Sequence, residues 1–174
     1  MLFVTKGGTR RQVTQAVRPM IKAVEMTGGI PSGYWEDPII LGFLSGCIRG
    51  LTQLVSNGKY SGGDAGLIAV GVYTDLLGDS DGMAVAGRQA ALFHDKVFAE
   101  ALSSGFLSVI VARHGPAKVM DQAIVAEAIS HSKKMKPALE KLSGPTSEAT
   151  LVSHSIRELT YNRRVEALRS QKAA

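Results

Sequence analysis

The stretch LGFLSGCIRG, Leu41–Gly50, decides the fold, because glycine recurs in it every fourth residue, at Gly42, Gly46 and Gly50. The surrounding segment 38–56 is mostly apolar and begins with a proline, which is typical of a buried helix. Three glycines inside a helix cost about 2.5–3 kcal/mol relative to alanine. The sequence therefore predicts that the glycine row has a structural role that offsets this cost.

On a helix, the apolar side chains of this segment cover about 200° of arc, and the glycines lie on the remaining side. We expect the apolar side to face a core and the glycine side to touch another backbone, since glycine permits close approach. The crossing element lies in the same chain or in a second copy, and a membrane or lipid surface is the remaining alternative. The first candidate in the chain is the next helix, Asp64–Leu77, which is apolar nearly all round and carries Gly66 and Gly71.

Glycine and proline divide the rest of the chain into helix-length segments, with no repeat at a fixed period. The pattern predicts an all-α fold, a compact helical bundle of six to seven helices with a hydrophobic central helix pair. We expect one domain over 1–174, with its core over 38–112. Basic terminal helices over 9–27 and 146–172 are expected to lie outside that core.

The remaining elements are predicted from capping and breaking residues. One continuous helix is expected over 81–104 and a later one over 116–134. Pro19 should bend or split the first helix, which begins with a threonine cap. The segments 67–73 and 106–112 are short and β-branched, so they fit a strand as well as a helix.

Composition places the chain among ordinary globular proteins, with 174 residues, 45% hydrophobic and 20% charged. The single cysteine, Cys47, excludes an intrachain disulfide and a cysteine-based zinc set. The longest charge-free apolar windows, 38–48 and 101–112, are shorter than the roughly 20 residues of a membrane span. The N-terminus lacks the apolar stretch of a secretory signal. We therefore expect a cytoplasmic protein with no membrane span.

Charge is distributed unevenly along the chain. Residues 1–22 carry five basic groups and no acid, residues 23–112 have a net charge of −5, and residues 113–174 one of +5. This asymmetry fits an anionic partner. It fits equally well the packing of the termini on the acidic middle or on a neighbouring copy.

The apolar stripe of the last helix changes face after Thr160. One face can pack on the domain, whereas the other needs a partner chain or a break of the helix near Asn162. Arginines crowd the same end, where they can contact phosphates or keep the helix end solvated. The first face holds Leu151, Val152, Ile156 and Leu159, and the second holds Tyr161, Val165 and Leu168.

Two histidines lie on apolar rows, His94 in the helix predicted over 81–104 and His131 in the later one. An inward histidine can act as a ligand or base, although such a residue more commonly donates to a backbone carbonyl. Arg49 shares the glycine side of its helix and is expected to pair with Asp64 or Asp75.

No motif predicts a metal, a cofactor or catalysis. Glu127 and His131 supply at most two metal ligands, and GDSDG at 78–82 lacks the acids that a calcium loop needs. SGGDAG at 61–66 lacks the lysine of a phosphate-binding loop, and His114 belongs to no nucleophile motif. We expect no cofactor and no metal site, and the chain is not expected to be an enzyme.

These features predict a non-enzymatic helical interaction protein, a homo-oligomer or adaptor whose partner is a protein, foremost a second copy of itself. One alternative is a nucleic-acid-binding protein that uses the basic helices, although aromatic residues are only 6%. Another is a small-ligand or metal site around the inward-facing histidines. The interface candidates are Gly42, Gly46, Gly50, Tyr161, Val165 and Leu168; the ligand or buried polar candidates are Arg49, His94 and His131; the nucleic-acid candidates are Arg10, Arg11, Arg163, Arg164 and Arg169.

Overall fold

The computed structural model of the protein describes residues 5–172, except for the side chains at positions 142, 143 and 172. Within this range all regular structure is helical, which confirms the predicted all-α bundle. The last two helices are joined by a π turn, so residues 5–172 form seven continuous helical segments. The helices are α1 (Lys6–Met26), α2 (Pro38–Val55), α3 (Gly62–Leu77), α4 (Asp79–Ala91), α5 (Lys96–His114), α6 (Ala123–Ser143), α7 (Glu148–Arg157) and α8 (Arg163–Lys172), with the π turn at Glu158–Asn162.

The glycine row of α2 crosses α5 at very short range, which confirms the predicted close approach of two backbones. A Cβ added at Gly46 would lie 2.0 Å from the carbonyl oxygen of Leu102. One added at Gly42 would lie 2.5 Å from that of Phe98. Since side chains cannot occupy such positions, only glycine fits this crossing.

The prediction that the helix Asp64–Leu77 crosses the glycine row is wrong. In α3, a Cβ at Gly66 would meet nothing within 4 Å, and Gly71 lies under the side chain of Arg10. In α5, by contrast, Gly105 faces the carbonyl oxygen of Phe43, where a Cβ would lie 2.0 Å away. The close approach is thus reciprocal, with a glycine on each helix. α3 is also not central, because Leu67 is 66% exposed.

The continuous helix expected over 81–104 is also wrong, because α4 ends at Ala91 and α5 begins at Lys96. Asp95 caps α5 and accepts a hydrogen bond from the amide of Phe98 at 2.8 Å. The buried face changes at the break, and Val97 in the first turn of α5 is exposed whereas Phe98 is buried.

Other boundaries differ in smaller ways. α1 begins one turn earlier than expected, with Thr5 as its cap, and continues through Pro19. The segments 67–73 and 106–112 are helical, in α3 and α5. The later helix, expected from position 116, begins at Ala123.

The π turn at Glu158–Asn162 explains the displaced stripe of the last helix. A π turn holds one residue more than an α turn, and one extra residue rotates the remainder of the helix by about 100°. The rotation brings Tyr161 and Val165 toward the same core as Ile156, and all three are buried. The ring of Tyr161 stacks on Phe43 of α2 at 5.5 Å. The second face therefore needs no partner chain, and the interruption predicted near Asn162 takes the form of a π turn at Glu158–Asn162.

By length and composition alone, α2 and α5 could cross a membrane, with mean hydropathies of 1.4 and 1.2. The most apolar 18-residue window of α2 is 61% buried and that of α5 is 39% buried inside the fold. A central helix of a soluble bundle passes the same test, so this finding alone assigns no membrane location.

Candidate ligand-binding groove

A groove lies over the seam between α2 and α5. α1 packs on α2 and α7 packs on α5, and the space between α1 and α7 is left open with a volume of about 490 Å³. We call this space the α1–α7 groove. Small-molecule sites have volumes of about 300–1,000 Å³, so it is large enough for a small ligand.

The walls of the groove are mainly apolar. Short side chains on α1 and α5 leave the space open, and longer ones on α1 and α2 supply apolar contact area. Because burial of apolar surface drives ligand binding, this composition favours an apolar ligand body. The apolar lining residues are Ala16, Met20, Leu51, Leu54, Val109 and Ala112.

The polar lining of the groove comes largely from one face of α7. Thr150, Ser153, His154 and Arg157 follow the spacing i, i+3, i+4, i+7, which places them on one side of a helix. The other polar lining residues are Cys47 on α2 and Ser108 and Arg113 on α5.

His154 and Arg157 contact each other within the groove, with Nη2 of the guanidinium 3.0 Å from Nδ1 of the imidazole. Burial, and then the positive charge of Arg157, lower the pKa of His154 below its ordinary value. The imidazole is therefore neutral near pH 7 and accepts the hydrogen bond from Arg157.

The guanidinium of Arg157 has donor capacity to spare. Its Nε is buried without a hydrogen-bond partner in the described part of the chain, and no carboxylate there forms an ion pair with it. Arg113, which lines the same groove, is exposed and also has no ion pair among the described residues. Two cations thus line the groove, and none of its described lining residues is acidic.

A second cavity of about 320 Å³ continues from the groove and shares Met20 and Arg157 with it. The π turn forms part of its wall. Here Glu158 and Glu166 balance the arginines. Arg169 closes this end, since its Nη1 donates to Glu166 at 2.6 Å and its Nη2 to the carbonyl oxygen of Val24 at 2.8 Å. The charges of this second cavity are thus balanced, whereas the α1–α7 groove has two arginines and no acid among its described lining residues.

The sequence-predicted ligand residues lie elsewhere. His94 sits in the α4–α5 connection, exposed, with its ring edge-on to Phe93. The prediction of an inward-facing His94 is wrong because the helix breaks before it. His131, on α6, lies 3.2 Å from Oγ of Ser155 through its Nδ1. Arg49 is exposed beside a shallow depression that includes Leu102.

The expected pairing of Arg49 with Asp64 or Asp75 is wrong. Asp64 pairs with Lys6, at 2.5 Å. Asp75 accepts hydrogen bonds from the guanidinium of Arg10, which hold the pKa of Asp75 below its usual range. Both carboxylates thus form ion pairs with basic side chains of α1. No ion pair of Arg49 is found within residues 5–172.

The nucleic-acid candidates do not form one surface. Arg10 is engaged by Asp75, and Arg164 contacts the buried carboxylate of Asp37 through Nη2 at 2.6 Å. Arg169 binds Val24, which lies about 21 Å along α1 from Arg10 at 1.5 Å per residue. Arg11 and Arg163 are exposed.

The interface candidates are buried within the chain. The three glycines of α2 lie against α5, and the apolar candidates of the last helix, Tyr161, Val165 and Leu168, belong to the core. The hydroxyl of Tyr161 hydrogen-bonds to that of Tyr34. None of these six residues offers an open surface to a second copy.

Sequence reasoning missed the groove residues His154 and Arg113, and it noted Arg157 only as one of the arginines that crowd the end of the last helix. The signal was the polar row at 150, 153, 154 and 157, on a helix whose apolar residues Leu151, Val152 and Ile156 are buried. In the described part of the chain, no group of three or more His, Cys, Asp or Glu side chains is placed to hold a metal ion. Comparisons with protein-family models, with curated proteins and with solved structures give no match. Function is therefore inferred from the groove and the surface of the molecule.

Proposed function

We propose that this protein binds a small molecule in the α1–α7 groove and acts as a binding protein without catalysis. The observation that carries the proposal is the 490 Å³ space between α1 and α7, with apolar walls and a few convergent polar groups. This combination is the usual character of a ligand site.

The chemistry of the groove favours binding over catalysis. Burial raises the pKa of the Cys47 thiol to about 12, so the thiolate is scarce near neutral pH. Its Sγ donates to the carbonyl oxygen of Gly105 at 3.5 Å. A protonated thiol that faces a carbonyl is a weak nucleophile.

The neutral dye 1-aminoanthracene tests this proposal, because its fluorescence rises in an apolar cavity whatever the head group of the natural ligand. We expect saturable binding at one site. Ala16→Phe fills the groove from α1 and should abolish the signal. The matched control is Ala90→Phe, at an exposed position of α4 outside the groove, and should leave binding unchanged. No dye binding by the folded protein, or equal loss in both variants, contradicts the proposal.

Self-association is a second candidate function, favoured by an exposed apolar patch at the α4–α5 connection. Phe93 is 68% exposed and Val97 is 45% exposed. Lys96 and Glu100, of opposite charge, flank the patch, so two copies related by a twofold axis can pair these charges across the interface. We expect Val97→Lys to convert a dimer to a monomer in light scattering. A monomeric parent protein contradicts this second candidate.

A further inference from the structure

We infer that the ligand of the α1–α7 groove is a small amphipathic anion, with an apolar body and one negatively charged head that contacts Arg157, in a groove to which Arg113 adds a second positive charge. This inference rests on the proposed function and adds the chemical class of the ligand.

The charge of the groove carries the inference. Arg113 and Arg157 line it from α5 and α7, no described lining residue is acidic, and His154 beside Arg157 is neutral. The adjoining cavity, by contrast, balances two arginines with two glutamates. A guanidinium prefers a planar, bidentate acceptor such as a carboxylate or a phosphate. The anionic head is therefore assigned to the α5–α7 side.

The position of the apolar walls sets the orientation of the ligand. Met20 on α1 and Leu51 and Leu54 on α2 supply apolar surface to the wall and floor of the groove that α7 does not form. A ligand with its head at Arg157 places its apolar body against these three side chains. The volume suits a molecule of about ten to fifteen heavy atoms and is too small for a helix, which is about 10 Å across with its side chains.

The unpartnered Nε of Arg157 gives a further reason. A buried donor without an acceptor costs about 1–3 kcal/mol. A small rotation of the guanidinium presents Nε and a terminal nitrogen to one anionic group. The head of the ligand then satisfies a donor that the described chain leaves without a partner.

The experiment compares probes that share one apolar chain: decanoate, decyl phosphate and the neutral 1-decanol, each titrated against bound 1-aminoanthracene. We expect the anions to bind about ten-fold or more tightly than the alcohol, the difference that a charge-assisted hydrogen bond supplies. The anion that binds more tightly identifies the head group as a carboxylate or a phosphate.

Arg157→Gln and Arg113→Gln should each weaken the anions about ten-fold and leave 1-decanol unchanged. Arg11→Gln, an exposed arginine on α1 outside the groove, is the matched charge control. Arg113 is exposed, so its variant tests the inference even if Arg157→Gln impairs folding.

Each remaining outcome decides between the two proposals. Equal binding of decanol and decanoate, unaffected by the arginine variants, overturns the anion inference and keeps the ligand-binding function. Absence of binding by every probe and by the dye overturns both. Displacement of the dye by an acidic amphipathic peptide but not by decanoate would make the groove a protein-docking site and overturn the inference.

Discussion

Gly46 of α2 lies directly against the carbonyl of Leu102 of α5, so closely that a Cβ on Gly46 would stand 2.0 Å from that oxygen. Such an approach brings two helix backbones into van der Waals contact over several turns. It fixes the α2–α5 seam, which forms the floor of the α1–α7 groove. The glycine row and the candidate site are thus parts of one arrangement.

Gly46→Ala should destabilise the protein by about 3 kcal/mol or more, because the added methyl meets backbone atoms that cannot move aside. Gly87→Ala is the matched control, since Gly87 also lies inside a helix but meets nothing within 4 Å. That change should stabilise the protein by about 0.5–1 kcal/mol. Urea unfolding followed by circular dichroism measures both. Equal effects of the two substitutions would contradict the close crossing.

The Asp37–Arg164 pair links the start of α2 to α8. Oδ1 of Asp37 caps α2, and its Oδ2 accepts from Nε of Arg164 at 2.7 Å. Arg164→Met leaves a buried carboxylate without its cation and should cost about 2–3 kcal/mol of unfolding free energy, a value reduced for the partial exposure of the arginine.

Asn keeps the capping oxygen and removes the charge, so Asp37→Asn combined with Arg164→Met should cost less than Arg164→Met alone. Glu100→Gln, at the exposed Lys96–Glu100 pair, should change stability by less than about 0.5 kcal/mol. A double variant less stable than the single one would show that the charge of Asp37 is not the cause.

Stability should depend on pH through His154. Burial and Arg157 lower its pKa in the folded state, so below the unfolded pKa of about 6.5 the unfolded chain binds more protons and folding weakens. Glu158 opposes this effect, and His131 on α6 adds to it. We expect His154→Gln to reduce the loss of unfolding free energy between about pH 7.5 and pH 5.5.

His94→Gln is the control for this measurement, because His94 is exposed in the α4–α5 connection. Its pH dependence should match that of the parent protein. If His154→Gln leaves the pH dependence unchanged, the imidazole does not carry the burial penalty that the structure assigns to it.

Cys47 should react slowly with a disulfide reagent while the protein is folded. A pKa of about 12 leaves little thiolate, whereas an unfolded cysteine has a pKa of about 8.5. At about pH 8 we expect the native protein to react about 10³-fold or more slowly than the protein in concentrated guanidinium. Comparable rates in the two states would mean that the floor of the groove is open.

The close crossing of α2 could be predicted from sequence because glycine destabilises a helix, and three glycines in one row therefore indicate a close contact with another backbone. Its partner could not, since identifying it depends on where α5 begins. The Asp95 cap that separates α5 from α4 stands inside a pattern that also fits one continuous helix. When the two helices are treated as one continuous helix, side chains near the break are assigned to the wrong face. This explains why the sequence pattern placed His94 inward.

The last helix also shows how far the sequence can predict the fold. Its displaced stripe is visible in the sequence, yet a π turn has no composition of its own that would predict it. Without that turn, Tyr161 and Val165 point away from the core. The groove was missed for a further reason. It is formed where α1 and α7 fail to meet, and the space between two helices depends on the packing of both on their neighbours.

Methyl-resolved NMR during titration with 1-aminoanthracene tests the central claim, ligand binding in the α1–α7 groove, most directly. We predict that the largest shifts occur at Met20, Leu51 and Leu54, and that the methyl groups of Leu67 and Met83, exposed on α3 and α4, stay in place. Shifts of equal size at Leu67 and Met83, or no shifts at the groove residues, would contradict the claim.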